Sequence, residues 1–221
     1  MIKTLNNLDS ALLLWLNSCH SSLPDLFMSL ISGKWVWIPM YLAIFWVLAK
    51  RLGYKPKLLI VLSTIGLALF FSDFVCAEFI RPLFNRPRPT QLGSGISHLV
   101  HVVDNYRGGD YGFPSCHASN SFMLATMVTL FFRNKQLAVF LFSWAVAMCY
   151  SRAYLGVHYP GDLLAGAIWG TGVSFALYAF ANHFYGLDEL KGAAHTNHIS
   201  IVGLATFAVL LLFAAVQTCM G

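Results

Sequence analysis

The sequence predicts an all-α fold: a polytopic membrane helix bundle of six transmembrane helices, with N-terminal interfacial amphipathic helices. Three observations carry this. The 221 residues are 57% hydrophobic and 10% charged, against ~25% charged in a soluble domain. Mean hydropathy is +0.65, which also excludes a disordered chain. A spanning helix needs ~20 largely apolar residues to cross the hydrocarbon core, and stretches of that kind recur six times. No repeat, low-complexity tract or second domain intervenes, so 1–221 reads as one integral-membrane domain.

The elements follow in chain order. Residues 8–32 hold apolar runs too short to cross, broken by Ser, Asn and His. Leu8, Leu12, Trp15 and Leu16 fall at helical spacing, which predicts two short helices lying in the interface. Pro24-Asp25 opens the second. The first span is 33–49, where Trp35, Trp37 and Trp46 read as interfacial and lipid-facing aromatics. The second is 58–80, with Asp73 and Glu78 near its far end. Asp73 is expected to hydrogen-bond a neighbouring helix. Spans three to six are 116–132, 137–155, 162–182 and 199–218.

The five cysteines (Cys19, Cys76, Cys116, Cys149, Cys219) are odd in number and widely spaced. They form no disulfide or zinc pattern, and Cys76 and Cys149 are expected to pack in the core. His98 and His101 have HxxH spacing without an obvious third ligand, so no metal site is expected. No cleavable signal peptide is evident. Nothing suggests a nucleic-acid partner.

The connection after span one holds Lys50, Arg51, Lys55 and Lys57, and that after span three holds Arg133 and Lys135. Both lack acids, which places them in the cytoplasm. The opposite loops carry Arg81, Arg86, Arg88, Arg107 and Arg152, against the charge rule. An anion held on that side explains the excess. Arg86 is expected outside its immediate contacts, near lipid headgroups.

Three polar clusters break the apolar pattern: residues 81–89 after span two, 113–117 opening span three, and 151–162 joining spans four and five. Because spans cross and return, all three share one membrane face. Arginine's planar fork matches phosphate oxygens. Ser115 stands at a helix start, where free N–H groups favour an anion. Two histidines, one backed by a carboxylate, suit nucleophilic and acid–base chemistry. Together they describe a metal-free phosphoryl transfer.

The order Arg81-x6-Arg88-Pro89, Pro114-Ser115-Cys116-His117, Ser151-Arg152-x5-His158-x3-Asp162 resembles the three-part signature of the type 2 phosphatidic acid phosphatases (the PAP2 superfamily). The family pattern is Lys-x6-Arg-Pro, Pro-Ser-Gly-His and Ser-Arg-x5-His-x3-Asp. Arg81 stands for its lysine and Cys116 for its glycine. The resemblance implies that His158 is the nucleophile and forms a phosphohistidine. Asp162 would accept from the other ring nitrogen, and His117 would protonate the leaving oxygen. Arg81, Arg88, Arg152, Ser115 and the Cys116 N–H would hold the phosphate, with neither metal nor cofactor.

The implied partners are a lipid phosphate substrate and the surrounding membrane lipids. The implied location is a bacterial inner membrane, with the site facing the periplasm or exterior. Family substrates are undecaprenyl diphosphate, phosphatidylglycerol phosphate, phosphatidate and the 1- or 4′-phosphate of lipid A; the sequence leans to lipid A or undecaprenyl diphosphate. The alternatives are a non-catalytic lipid-binding or transport protein with a decayed pocket, and a vanadate-dependent haloperoxidase.

Overall fold

The computed structural model describes residues 2–220. Among them, 78% are helical and no strand occurs, as expected. Two N-terminal helices, α1 (Ile2–Ser18) and α2 (Ser22–Ser32), precede the bundle. The apolar helices are α3 (Trp35–Leu52), α4 (Pro56–Phe84), α5 (Cys116–Phe132), α6 (Lys135–Tyr154), α7 (Pro160–Tyr185) and α8 (Asn197–Met220). Five of these six are long and apolar enough to cross a membrane. The exception, α5, is 17 residues long. All six expected spans are therefore apolar helices, while length and composition identify five as spanning.

The chain buries α5 at the centre of the bundle. Met123, Ala125, Met127, Val128, Phe131 and Phe132 are nearly inaccessible. Its closest neighbour is α7, because Gly166 and Gly170 lie one turn apart on the facing side. A Cβ on Gly166 would run into Ser115 O, and one on Gly170 into Ser119 O. Small residues at this spacing let two backbones approach, as in lipid-embedded helix pairs. Ser174 Oγ adds a hydrogen bond to Met123 O at 2.7 Å. This contact fixes the position of the N-terminus of α5. At the periphery, only 17% of the apolar stretch of α8 is buried, so most of its leucines and valines face lipid.

From Phe70 to Ile80, α4 is a π-helix, a widened turn that is rare and concentrated at functional sites. It carries Asp73 and Cys76 and leads directly into Arg81. Asp73 Oδ1 accepts from Asn120 Nδ2 of α5 at 2.7 Å, the interhelical bond expected of it. Ser72 and Ser119 hydroxyls meet at 2.6 Å alongside.

Trp37 corrects one expectation. Trp35 and Trp46 are exposed as interfacial aromatics should be, but Trp37 is fully buried. It packs edge-on against Trp144 and Phe207, and its Nε1 donates to Ile31 O at 2.9 Å. A buried indole with a hydrogen-bond partner serves the core.

The basic connection after α3 meets the segment after α7. Lys57 pairs with Glu189 at 2.9 Å, and Arg51 Nε donates to Glu189 O at 2.6 Å. These two connections thus share one end of the bundle, as the alternation of spans requires. At the other end, α1 docks through Asn17. Its Nδ2 donates to Tyr154 O at 2.6 Å and to His101 O at 3.0 Å. The N-terminal helices therefore pack against the end of the bundle that carries the motif residues.

Candidate active site

The three polar clusters converge on one cavity of about 510 Å³. Arg81 arrives from the end of α4, Arg88 from the following loop, Cys116 and His117 from the first turn of α5, and Arg152 from the last turn of α6. All five line the cavity. Ser115, His158 and Asp162 stand immediately behind it, each almost completely buried.

Each arginine is held by part of its guanidinium. Arg81 Nη2 donates to Pro114 O at 3.1 Å and contacts Cys116 Sγ at 2.9 Å. Arg81 thus reaches from α4 across to the start of α5. Arg88 Nη1 donates to Val157 O at 3.0 Å and to His158 Nε2 at 2.9 Å. Arg152 donates to Ser32 Oγ at 2.5 Å and Tyr106 OH at 3.1 Å. In all three, Nε is buried without a hydrogen-bond partner. An unsatisfied buried donor costs about 1–3 kcal/mol, more when charged. Three guanidiniums with such donors beside one cavity are chemically suited to a multiply charged anion with several acceptor oxygens.

His158 sits in the turn between α6 and α7. Burial pulls its imidazole well below the ordinary histidine range, and the cations of Arg88, Arg152 and Arg81 push the same way. It is therefore neutral near pH 7, and Nε2 has a lone pair, which the Arg88 contact now occupies. Burial also brings Arg88 down to about 10, with Arg81 and Arg152 adding to the effect. That still leaves its guanidinium charged near neutrality.

The expected hydrogen bond from His158 to Asp162 is not formed. Nδ1 and Oδ2 are 3.6 Å apart, and Nδ1 has no partner. The carboxylate is held elsewhere. Oδ2 accepts from Tyr159 N at 3.0 Å as part of the cap of α7, and Oδ1 accepts from Arg86 Nη1 at 2.6 Å. Gly112 closes over this pair. A Cβ there would come within 2.9 Å of Asp162 Oδ2 and 3.6 Å of His158 Nδ1, so a side chain would force the loop back.

Ser115 is engaged by the backbone. Its hydroxyl accepts from Ala118 N at 3.4 Å, capping α5, and its own N–H donates to Asp162 O at 3.0 Å. The second contact ties the start of α5 to the start of α7, and so fixes His117 relative to His158.

Arg86 departs from expectation. It is not left among headgroups: Nη2 meets Asp9 Oδ2 at 2.6 Å while Nη1 holds Asp162, and the guanidinium lies 4.0 Å above the Tyr159 ring. Asp9, on α1, also accepts from Gly161 N at 2.7 Å. Sequence alone carried no signal for this chain of contacts beyond the surplus of arginines. Asp9→Asn removes a charged acceptor from Arg86 and loosens Asp162 at one remove. The expected result is a fall in kcat of about tenfold with KM little changed, read by steady-state kinetics. His101 pairs with Asp25 at 2.9 Å and stacks on His20.

The PAP2 superfamily model matches residues 57–185, more than half the chain and every residue of the three motif clusters. The chain belongs to the PAP2 superfamily. Within it the chain falls in the membrane lipid phosphatase branch, an enzyme class, as its motifs implied. It is 40% identical over 226 aligned residues to a lipid A 4′-phosphatase of Bacteroides thetaiotaomicron, covering 99% of this chain and 100% of that one. It is 35% identical to a lipid A 4′-phosphatase of Porphyromonas gingivalis, covering 86% and 79%. The crystal structure of Aquifex aeolicus LpxE shares the PAP2 fold, with a TM-score of 0.59 at 22% identity over 76% of this chain and 93% of that one.

Proposed function

We propose that this PAP2 enzyme hydrolyses the 4′-phosphate of lipid A at the periplasmic face of a bacterial inner membrane. The observation that carries phosphate binding is the trio of partnerless Nε donors on Arg81, Arg88 and Arg152 around one cavity. Likeness to the Bacteroides enzyme along the full chain supports the choice of lipid. The shape of the cavity agrees. Beyond the arginines it continues between α3 and α4 along Tyr41, Ile44, Phe45, Leu62, Ile65 and Leu69, an apolar slot suited to an acyl chain. Lys34 stands at the rim.

In the first step the three guanidiniums neutralise the phosphate oxygens. Arg88 turns from His158 Nε2 to the anion, which releases the lone pair. Nε2 then forms a bond to phosphorus as the bond to the lipid oxygen breaks, and His117 gives that oxygen its proton. Asp162, held by Arg86 and the Tyr159 N–H, offsets the charge that develops on the imidazole. In the second step His117 takes a proton from water, whose oxygen attacks phosphorus and frees His158 and inorganic phosphate. The charge carried by metal ions in other phosphatases is supplied here by arginine.

The test uses detergent-solubilised protein and bis-phosphorylated lipid A, with EDTA in a parallel sample. The expected product lacks one phosphate, fragmentation places the loss on the distal glucosamine, and EDTA leaves the rate unchanged. Loss of the 1-phosphate, or turnover of undecaprenyl diphosphate alone, overturns the substrate assignment. Strong inhibition by EDTA overturns the metal-free mechanism.

A further inference from the structure

Cys116 occupies the position where the family pattern has glycine, and its sulfur is not isolated. It lies 3.2 Å from Cys76 Sγ. Cys76 sits in the π-helical part of α4, five residues before Arg81, and Cys116 is the first residue of α5, beside His117. One thiol therefore belongs to each of two elements that frame the phosphate cavity. A disulfide needs the sulfurs at about 2.05 Å, a further approach of only about 1 Å. Access is one-sided: Cys116 lines the cavity, whereas Cys76 is fully buried.

We infer that Cys76 and Cys116 form a redox-modifiable dithiol in the wall of the phosphate cavity, closed by exchange with a small disulfide. The Cys116 sulfur attacks the incoming disulfide, expels one thiol and forms a mixed disulfide. The Cys76 sulfur then attacks the Cys116 sulfur and expels the second thiol. The two protons lost by the cysteines end on the two released thiols, and the incoming disulfide takes the two electrons.

Closure has a direct path to the cavity. The Cys116 sulfur is the atom that Arg81 Nη2 now contacts at 2.9 Å. Drawing it toward Cys76 removes that contact and pulls on the turn that presents His117. Oxidation therefore lowers phosphate handling, and reduction restores it.

The experiment treats detergent-solubilised full-length protein with hydroxyethyl disulfide. A non-reducing digest is then mapped by mass spectrometry. The expected result is a peptide joining residues 76 and 116, with the exposed Cys19 and Cys219 carrying simple adducts. In Cys76→Ala the exchange stops at a mixed disulfide on Cys116. A wild-type protein that keeps an adduct on Cys116, or that leaves Cys116 unmodified while Cys19 and Cys219 react, overturns the inference. This mapping reads no phosphatase activity, so it stands apart from the assignment of substrate. Hydrolysis of a lipid monophosphate by the cross-linked protein falls by about tenfold or more and recovers with dithiothreitol. Undiminished hydrolysis by fully cross-linked protein overturns the control exerted on the cavity.

Discussion

His158→Ala abolishes turnover. The loss is at least ~10⁴-fold in kcat, the scale seen when a covalent nucleophile is deleted. The reason is local. No other described imidazole combines complete burial, neutrality enforced by burial and surrounding guanidiniums, and contact with a cation that lines the cavity. Rapid quenching of the wild type with phosphate-labelled lipid traps label on His158, and the variant traps none. Substantial activity in His158→Ala would sink the assignment of the nucleophile. Because the side chain is buried beside Asp162 and Arg88, His158→Gln serves as a control that keeps polarity and approximate volume. It is expected to be as inactive as the alanine variant while retaining the wild-type melting temperature in detergent more closely.

Arg88→Ala has the second largest effect, a fall of about 10²–10³ in kcat/KM. This guanidinium faces two ways. It lines the cavity, with Nε buried and unpartnered; toward the protein its Nη1 holds Val157 O and His158 Nε2. Truncation removes a phosphate donor and also leaves the turn that carries His158 without its tether. Arg88→Lys keeps one charge but not the planar fork, so it recovers only part of the loss. Steady-state kinetics on both variants separate the two contributions: the lysine variant improves KM more than kcat. Equal rates for wild type and Arg88→Ala would remove Arg88 from the mechanism.

The Asp162 contacts give these two effects a common frame. In this structure the carboxylate is satisfied by Arg86 and by the cap of α7, and stands 3.6 Å from His158 Nδ1. At that distance it acts on the imidazole through charge, with a short movement needed for a hydrogen bond. Arg86, itself held by Asp9, fixes where the carboxylate stands beside His158. The interfacial helix α1 therefore contributes, through Asp9, to geometry that the motifs alone leave incomplete.

Much of the site was legible from residue spacing. Alternation of spans puts the ends of α4 and α6 and the starts of α5 and α7 at one end of the bundle, whatever the detailed packing. Arg81, Arg88, His117 and Arg152 accordingly share a cavity. Asp73 could be read as an interhelical partner because a carboxylate inside an apolar helix needs one. Trp37 could not be separated from Trp35 and Trp46, since all three lie near a span end and composition alone does not orient a side chain. Arg86 could not be distinguished from a headgroup contact either. Its partners, Asp9 and Asp162, lie 77 and 76 positions away.

By itself, the sequence determined the all-helical class, the membrane setting and the membership of the cationic cluster. Each follows from local composition or from fixed intervals along the chain, and none depends on how helices pack. Only the tertiary structure decided which sulfur faces Cys116, what holds Asp162, and that Arg88 covers His158. Those contacts join positions scattered through the chain, and the close approach of α5 to α7 at Gly166 and Gly170 helps to set the distances between them.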